Sequence, residues 1–123
     1  MSVDGNLSEA AWQNFTNVSK TIVGTPNNTG TSFAVTWNST YLFVGMRVTD
    51  GNLFNESTNA WDDDAFEIYI DAENNGGTAY GTNDRQFVKE WNSTTIWEKN
   101  NRTTGVLHAW AAITGGYTLE VAI

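Results

Sequence analysis

Apolar and polar residues alternate along most of this chain, so that every second position is apolar. Between Phe33 and Trp37, for example, the large apolar side chains occupy the odd positions, and Ala34 and Thr36 lie between them. A period of two places successive side chains on opposite faces of a β-strand. The same pattern occurs in six segments: 33–37, 41–48, 66–70, 86–91, 106–113 and 117–123. The sequence therefore predicts six short strands, and only residues 7–12 are compatible with a turn of helix.

Clusters of Asn, Thr, Ser and Gly separate these segments and are typical of turns and loops. The longest predicted loops are residues 17–32, 51–64 and 74–85, and binding residues are expected on such loops. Helices do not alternate with the strands, which argues against a parallel sheet. We therefore predict an all-β fold, an antiparallel β-sandwich formed by residues 1–123 as a single domain.

Composition and charge narrow the range of functions. The 123 residues carry six basic and fourteen acidic side chains, and the net charge of −8 disfavours nucleic acid as a partner. No apolar run approaches the roughly 20 residues of a membrane span. The chain lacks Cys, has a single His and shows no nucleophile motif, so we expect a protein that is not an enzyme.

The polar composition also bears on location. The chain is acidic, poor in lysine and contains eight N-x-[ST] sequons, which favours a secreted or cell-surface protein. An Asn- and Thr-rich sequence also produces sequons by chance, so glycosylation does not follow from them.

An acidic segment after the third predicted strand is a candidate metal site. Asp71, Glu73 and Asn75 place oxygen ligands at alternate positions before a glycine, as in the first half of a calcium-binding loop. Thr82 replaces the glutamate that would complete an EF-hand, and Asp84 follows two positions later. We therefore predict structural calcium held by Asp71, Glu73, Asn75 and Asp84. An exposed acidic turn without metal is the alternative.

Tryptophan is unusually frequent, with six in the chain. The pattern assigns Trp12 and Trp37 to packing, whereas Trp61 lies in a predicted loop directly before three aspartates. A flat indole beside carboxylates suits a sugar ring, because the C–H groups of the sugar stack on the indole while its hydroxyls bond to the carboxylates. The alternative for Trp61 is a loop side chain that folds back over the core.

Several stretches of the sequence together resemble family 9 carbohydrate-binding modules. They are residues 3–12, the strand pair 33–37 and 41–50, the W-x-x-D-x-x-E-x-x-x-D pattern of residues 61–71, and the Y-x-x-E-x-x-I pattern of residues 117–123. The resemblance implies a β-sandwich with bound calcium that recognises the reducing ends of plant-wall glycans such as cello- and xylo-oligosaccharides. It also implies a carbohydrate partner and an attached catalytic domain.

The resemblance further implies roles for four residues. Trp61 matches the loop tryptophan that forms one wall of the family's sugar slot, and Glu67 matches the strand glutamate that accepts sugar hydroxyls. Glu120 matches the glutamate of the closing strand, and Arg85 lies near the position of a binding-site arginine. The alternation directs Glu67 and Glu120 away from their apolar neighbours, so we expect both on one concave face.

The sequence departs from the family at its C-terminal end. Family members continue beyond the closing strand, and that later segment supplies the second tryptophan of the sugar slot. We therefore expect C-terminal strands to be missing or supplied by another chain, because proteins avoid an unpaired apolar edge. Whether Trp91, Trp97 or Trp110 replaces the second tryptophan stays open.

Two other functions fit parts of the pattern. A structural or adhesive extracellular subunit would use the same sandwich and be completed by strand exchange with a neighbouring chain. A b-type cytochrome would need axial ligands, and Met46 and His108 are available. Packing explains Met46, and local hydrogen bonding on a predicted strand explains His108.

Overall fold

The computed structural model describes residues 1–123 and consists almost entirely of strands and loops. In chain order the strands are β1 (Thr16–Asn17), β2 (Gly30–Trp37), β3 (Leu42–Thr49), β4 (Ala65–Ile70), β5 (Arg85–Glu90), β6 (Trp97–Glu98), β7 (Leu107–Ile113) and β8 (Gly116–Ala122). All six predicted strands are present, which confirms the all-β class. A 3₁₀ turn covers Ala60–Asp62, and no helix has the length and apolarity that a membrane crossing requires.

The strands form two antiparallel sheets in two compact units. The larger unit, residues 1–54 and 105–123, contains a five-stranded sheet of order β1-β2-β3-β8-β7. The smaller unit, residues 55–104, contains a three-stranded sheet of order β4-β5-β6. That the whole chain is a single domain stays a prediction.

The centre of the larger sheet is apolar, because β3 and β8 have neighbours on both sides. Met46 pairs with Leu119, and Val44 pairs with Val121. The side chains of Met46, Leu119 and Val121 are fully buried. Burial of these apolar side chains is the main stabilising contribution in this unit.

The N-terminal segment covers the opposite face of the larger sheet. Trp12 lies in a buried cluster with Ala34, Phe43 and Ala122, which confirms its predicted packing role. A Cβ atom at Gly45 would lie 2.8 Å from the ring of Trp12. The glycine therefore allows the indole to lie directly against the sheet.

The predicted packing role of Trp37 is wrong. Its side chain is 76% exposed at the end of β2. The two residues of β1 pair only with Ser32 and Phe33, so the second half of β2 is an edge of the sheet. The alternation places Trp37 on the apolar face of β2, as predicted. It does not show that the sheet has no further strand beside this part of β2.

A buried carboxylate ties the N-terminal segment to β8. Glu120 is 1% exposed and accepts hydrogen bonds from the backbone N–H groups of Asp4 (2.8 Å) and Gly5 (2.7 Å) and from the indole N–H of Trp12 (2.8 Å). Burial raises the pKa of Glu120 above its ordinary value, although these donors oppose the shift. The exposed orientation expected for Glu120 is not found, because the N-terminal segment covers the side to which the alternation directs it.

The register of the smaller sheet assigns its side chains to two faces. Glu67 pairs with Val88 and Val88 with Trp97, so the three form one row on the same face. The next row on that face contains Tyr69 and Gln86. The opposite face carries Ile68, Arg85, Phe87, Lys89 and Glu98.

Two arginines hold Glu98 on this opposite face. The fully buried carboxylate lies 2.9 Å from Nε of Arg85 and 2.7 Å from Nη2 of Arg102. It also accepts the backbone N–H groups of Asn100 and Arg102, both at 2.8 Å. Burial opposes ionisation of Glu98, but these hydrogen bonds outweigh it and lower the pKa to about 2. Glu98 with its two arginines is called the Glu98 clamp below.

The Glu98 clamp predicts a specific loss of stability in acid. Because the pKa of Glu98 is about 2 in the folded chain and 4.5 ordinarily, its contribution is complete above about pH 5. As the pH falls from 4.5 towards 2, we expect a loss of about 3 kcal/mol in the free energy of unfolding. Urea unfolding followed by tryptophan fluorescence measures this loss. Glu98→Gln should remove this pH dependence, and Glu56→Gln, at an exposed position, should retain it. An equal loss of stability in acid for the wild type and both variants would contradict the assignment of the loss to Glu98.

Candidate functional site

Trp61 lies on a short turn whose acidic side chains are satisfied locally. The side-chain amide of Asn59 donates to Asp62 at 2.9 Å, and the backbone N–H of Ser57 donates to Asp63 at 2.7 Å. These bonds compensate part of the charge of the two adjacent carboxylates. The indole of Trp61 is 48% exposed, so about half of its surface stays accessible to solvent.

A second tryptophan contacts Trp61. The ring centroids of Trp61 and Trp97 are 5.2 Å apart and the rings are inclined at 71°, an edge-to-face arrangement. Such pairs contribute about 0.5–1.5 kcal/mol beyond the area that they bury. Trp97 is anchored in β6, so the strand fixes the position at which the indole of Trp61 rests.

A hydrogen-bonded network surrounds Glu67. Its Oε2 atom accepts hydrogen bonds from the hydroxyl of Tyr69 and from Nε2 of Gln86 (3.1 Å). The same Nε2 atom of Gln86 also donates to the Tyr69 hydroxyl at 3.1 Å. The bond to Glu67, together with burial, raises the pKa of Tyr69 to about 12.

These side chains form one surface of the smaller unit, which we call the aromatic face: Trp61, Glu67, Tyr69, Gln86 and Trp97. It combines exposed indole and phenol rings with a carboxylate and an amide of fixed orientation. Stacking surfaces bordered by acceptors and donors can hold a ring that is apolar on its faces and polar at its rim. Tyr69 and Gln86 were not among the residues predicted from the sequence, although their period-two spacing from Glu67 and Val88 places them on the same face.

Two predicted sugar-binding residues are absent from the aromatic face. Arg85 is adjacent to Gln86 on β5 and therefore points to the opposite face, where it belongs to the Glu98 clamp and stacks on Phe87 with 4.7 Å between Cζ and the ring centroid. Glu120 is buried in the larger unit. The structure therefore brings Trp61 and Glu67 together on one surface, without Arg85 and Glu120.

The predicted metal ligands occupy the loop between β4 and β5. Asp71 accepts the backbone N–H groups of Asn75 (3.2 Å) and Gly76 (3.0 Å), and the bond from Gly76 is the main reason that the pKa of Asp71 is lowered. Glu73 accepts the side-chain amide of Asn75 at 3.1 Å. The four predicted ligands thus share a loop in which amides satisfy part of the negative charge.

Asp84 closes this loop and carries an unsatisfied atom. One carboxylate oxygen accepts the backbone N–H of Gly81 at 2.6 Å, and the other, Oδ1, is buried without a hydrogen-bond partner. A Cβ atom at Gly81 would lie 3.4 Å from Asp84 and 3.7 Å from Glu73, so both carboxylates border the space above this glycine. A buried acceptor without a donor is costly unless a cation or water satisfies it.

Carboxylates also gather in the larger unit, where oxygens of Asp4, Glu9 and Glu120 lie within 4.8 Å of one another. Asp4 and Glu9 were not predicted from the sequence to belong to a site, because they are more than 100 positions from Glu120. The oxygens of Glu120 accept three N–H groups, but Oε2 of Glu9 is buried without a hydrogen-bond partner, so the attachment of the N-terminal segment explains only part of this cluster.

Comparison with known sequences identifies relatives. Residues 3–123 match the family described as "Carbohydrate family 9 binding domain-like". Endo-1,4-beta-xylanase A of Thermoanaerobacterium saccharolyticum is 28% identical over 123 residues, which is 98% of this chain and 10% of that protein. Endo-1,4-beta-xylanase A of Thermotoga maritima is 32% identical over 89 residues, which is 72% of this chain and 8% of that protein. The chain thus spans about a tenth of the length of these curated relatives.

Two solved structures share the fold. They are a carbohydrate binding module family 9 from Caldicellulosiruptor kristjanssonii in complex with cellotriose, with a TM-score of 0.87, and the same module in complex with glucose, with a TM-score of 0.86. Each is 19% identical, and the match covers all of this chain and 62% or 63% of theirs. This likeness confirms the predicted antiparallel β-sandwich. Since the family match extends over nearly the whole sequence, the chain belongs to the carbohydrate family 9 binding domain-like family.

Proposed function

We propose that this chain is a non-catalytic module that binds the ends of cello- or xylo-oligosaccharides, with a terminal sugar ring stacked on Trp61. The observation that carries the proposal is the joint presence of the Trp61–Trp97 pair and the Glu67–Gln86 pair on one face of the smaller sheet, on which Trp61 and Tyr69 are exposed. The names of the relatives, which are xylanases, and the ligands of the similar structures, cellotriose and glucose, support this class of sugar.

Stacking supplies the apolar part of the interaction. The exposed half of the Trp61 indole offers a flat surface to the C–H groups of a pyranose, and their contact removes apolar area from water. Because Trp97 supports the indole edge-to-face, little side-chain freedom is lost when the sugar binds.

Glu67 supplies the polar part. Both of its hydrogen bonds end on Oε2, so Oε1 is the acceptor that faces a sugar hydroxyl. Tyr69 and Gln86 hold the carboxylate in one orientation before the ligand arrives. A hydrogen bond to a charged acceptor contributes about 1.5–3 kcal/mol, which favours a sugar with a free hydroxyl at this position.

We also propose that the module is attached to a catalytic domain in a secreted or cell-surface protein. The matched xylanases are about ten times longer than the matched segment. A module that binds chain ends would raise the concentration of its partner domain at the polysaccharide.

Calcium is proposed as a structural ion in the loop between β4 and β5. The ligand set fits, because Asp71, Glu73, Asn75 and Asp84 offer the hard oxygen donors that calcium prefers. The buried and unpartnered Oδ1 of Asp84 is the observation that supports the fit. Bound calcium would neutralise these carboxylates and stiffen the loop.

The alternative of a structural subunit completed by a neighbouring chain has one supporting observation. The second half of β2 lacks a partner strand on one side and exposes Val35 and Trp37. Sugar binding is favoured, because the aromatic face also has oriented polar groups that an unoccupied strand edge does not explain.

Sugar binding predicts a tryptophan-dependent titration. Trp61→Ala should weaken the binding of cellobiose or xylobiose by about 30-fold or more, because a central stacking residue is lost. Glu67→Gln should weaken it about tenfold through the loss of a charged acceptor. Calorimetry and tryptophan fluorescence measure both, and Trp37→Ala is the matched control, an exposed tryptophan of the other unit. An unchanged signal of the wild-type protein in millimolar sugar would contradict the proposal.

The support of Trp61 by Trp97 predicts a graded response. Trp97→Leu should weaken sugar binding about fivefold to tenfold, whereas Trp97→Phe, which keeps an aromatic edge-to-face pair, should stay within about threefold of wild type. The far-ultraviolet circular dichroism couplet of paired indoles should disappear in both variants, which reports the contact independently of affinity. Equal affinities of the Leu and Phe variants would contradict a positioning role.

Calcium binding predicts an ion-dependent gain in thermal stability. At calcium concentrations of 100 times the Kd, the folded state should gain about 2.7 kcal/mol, seen as a higher Tm in calorimetry. Asp84→Asn should abolish most of the gain, and Asp4→Asn, in the other acidic cluster, should leave it intact. If the gain in Tm persisted in Asp84→Asn and disappeared in Asp4→Asn, the ion would bind at Asp4, Glu9 and Glu120. That result would contradict the proposed loop site.

A further inference from the structure

The chain contains more N-x-[ST] sequons than its composition explains. It has 15 asparagines, and 24 of its 123 residues are serine or threonine. A random arrangement of these residues would produce about three sequons, whereas eight are present. The sequon asparagines are Asn6, Asn14, Asn17, Asn27, Asn38, Asn55, Asn92 and Asn101. Chance therefore accounts for fewer than half of them.

The side-chain amides of the sequon asparagines are accessible. All eight residues are exposed, and none of them donates a hydrogen bond from Nδ2 within the chain. Three of the seven other asparagines, Asn59, Asn75 and Asn83, do donate from Nδ2, in each case to a carboxylate. Nδ2 is the atom that carries the sugar in an N-glycosylated protein. The sequon asparagines thus keep this atom available.

The fold explains several of these asparagines but not the hydroxyl residues that follow them. Asn14, Asn92 and Asn101 have positive φ angles of 57°, 55° and 58°, which asparagine adopts more readily than most residues. The serine or threonine two positions later is exposed in seven of the eight sequons. Thr29 alone among them uses its hydroxyl in a hydrogen bond, to the backbone oxygen of Thr49 at 3.3 Å. Folding therefore does not account for the hydroxyl half of the motif.

Sequons are concentrated where the larger unit exposes apolar side chains. Four of the eight lie within residues 14–38. The same stretch contains the three most exposed large apolar side chains, those of Ile22 (75%), Val23 (88%) and Trp37 (76%). Asn38 directly follows Trp37, at the end of the part of β2 that lacks a partner strand. A bulky hydrated group at Asn38 would cover this strand edge, which otherwise favours association between chains.

The turn after β2 fixes the side chain of Asn38. Its Oδ1 atom accepts the backbone N–H groups of Thr40 and Tyr41, both at 2.8 Å. Because the amide group is planar, Nδ2 is directed away from these two donors. A sugar attached to Nδ2 leaves both hydrogen bonds in place, so the turn is compatible with the modification.

We propose that the chain is N-glycosylated at its sequons and that the glycan on Asn38 shields the open edge of β2. The substrate class is an oligosaccharide linked to a polyprenyl phosphate or pyrophosphate, transferred by a separate enzyme. A bond forms between Nδ2 and the anomeric carbon of the oligosaccharide, and the bond from that carbon to the phosphate oxygen breaks. The lipid phosphate leaves with the electron pair, and one amide proton is released.

Mass spectrometry tests the modification. The protein is produced in the organism that encodes it, and electron-transfer fragmentation of its glycopeptides assigns each sugar to one residue. Asn38 should carry an oligosaccharide, whereas Asn52, an exposed asparagine outside a sequon, should carry none. Thr40→Ala should abolish the sugar on Asn38, and Thr40→Ser, the matched control, should retain it. Both variants keep the turn, because only the backbone N–H of Thr40 takes part in it.

Light scattering of the same two variants tests the shielding. Thr40→Ala should self-associate at a severalfold lower protein concentration than Thr40→Ser, because its strand edge is uncovered.

Each other outcome overturns a defined part of the proposal. Unmodified asparagine at all eight sequons would overturn the glycosylation and the shielding together. Sugar that persists on Asn38 in Thr40→Ala would show that the sequon is not what the modifying enzyme recognises, and would overturn the assignment. Sugar on other sequons but not on Asn38, or equal self-association of the two variants, would overturn the shielding of β2 and leave the glycosylation of the chain.

Discussion

The arrangement of the smaller unit depends on the ion pairs and hydrogen bonds of the ionised Glu98 carboxylate. It lies on β6, a strand of two residues with too few ladder bonds to hold itself in place. The guanidinium groups of Arg85 on β5 and of Arg102 after β6, and the backbone N–H groups of Asn100 and Arg102, converge on it. The other residue of β6 is Trp97, which supports Trp61. The ion pairs of Glu98 on one face of the sheet thus fix the position of Trp97, and through it that of Trp61, on the other face.

Comparison with Glu120 shows how the surroundings decide the behaviour of a buried carboxylate. Both side chains are almost completely buried and both accept backbone N–H groups. Burial opposes the ionisation of Glu98, but hydrogen bonds from the backbone N–H and side chain of Arg102, the backbone N–H of Asn100 and the side chain of Arg85 outweigh it, so its pKa falls. Glu120 faces N–H dipoles and lies near Glu9, so burial dominates and its pKa rises. Glu98 therefore stabilises its unit as an ion, whereas ionisation of Glu120 has a cost that its three donors offset in part.

The strands could be predicted from the sequence because a period of two persists over five or more residues in each of them. Strand β6 could not be predicted, since two residues have no period, and its place depends in part on Arg85, which lies on another strand. Trp61 was recognisable because an indole between turn residues and aspartates has no apolar neighbours to pack with. Arg85 lies on the face opposite Glu67 and Gln86 on the same face as Glu67, because a shift of one residue along a strand reverses the face.

The alternation of apolar and polar residues predicts neither the burial of Glu120 nor the exposure of Trp37. A period of two identifies the face of a strand but not what covers that face. The N-terminal segment buries the face of Glu120, and the short β1 leaves that of Trp37 open. Both depend on where distant segments end, which is a property of the tertiary structure. The segments that resemble the family include these residues, but the resemblance does not predict which side chains surround them.

Successive side chains of β5 point to opposite faces of the sheet, and this alternation affects how the sequence can change in evolution. Arg85, Phe87 and Lys89 face one side, and Gln86 and Val88 face the other. Val88 is 1% exposed and belongs to the packing of the sheet, whereas Gln86 is only partly buried. Selection can therefore exchange the side chain at position 86 while its neighbour Arg85 continues to bind Glu98. A lineage can in this way vary one surface of the sheet on an inherited scaffold.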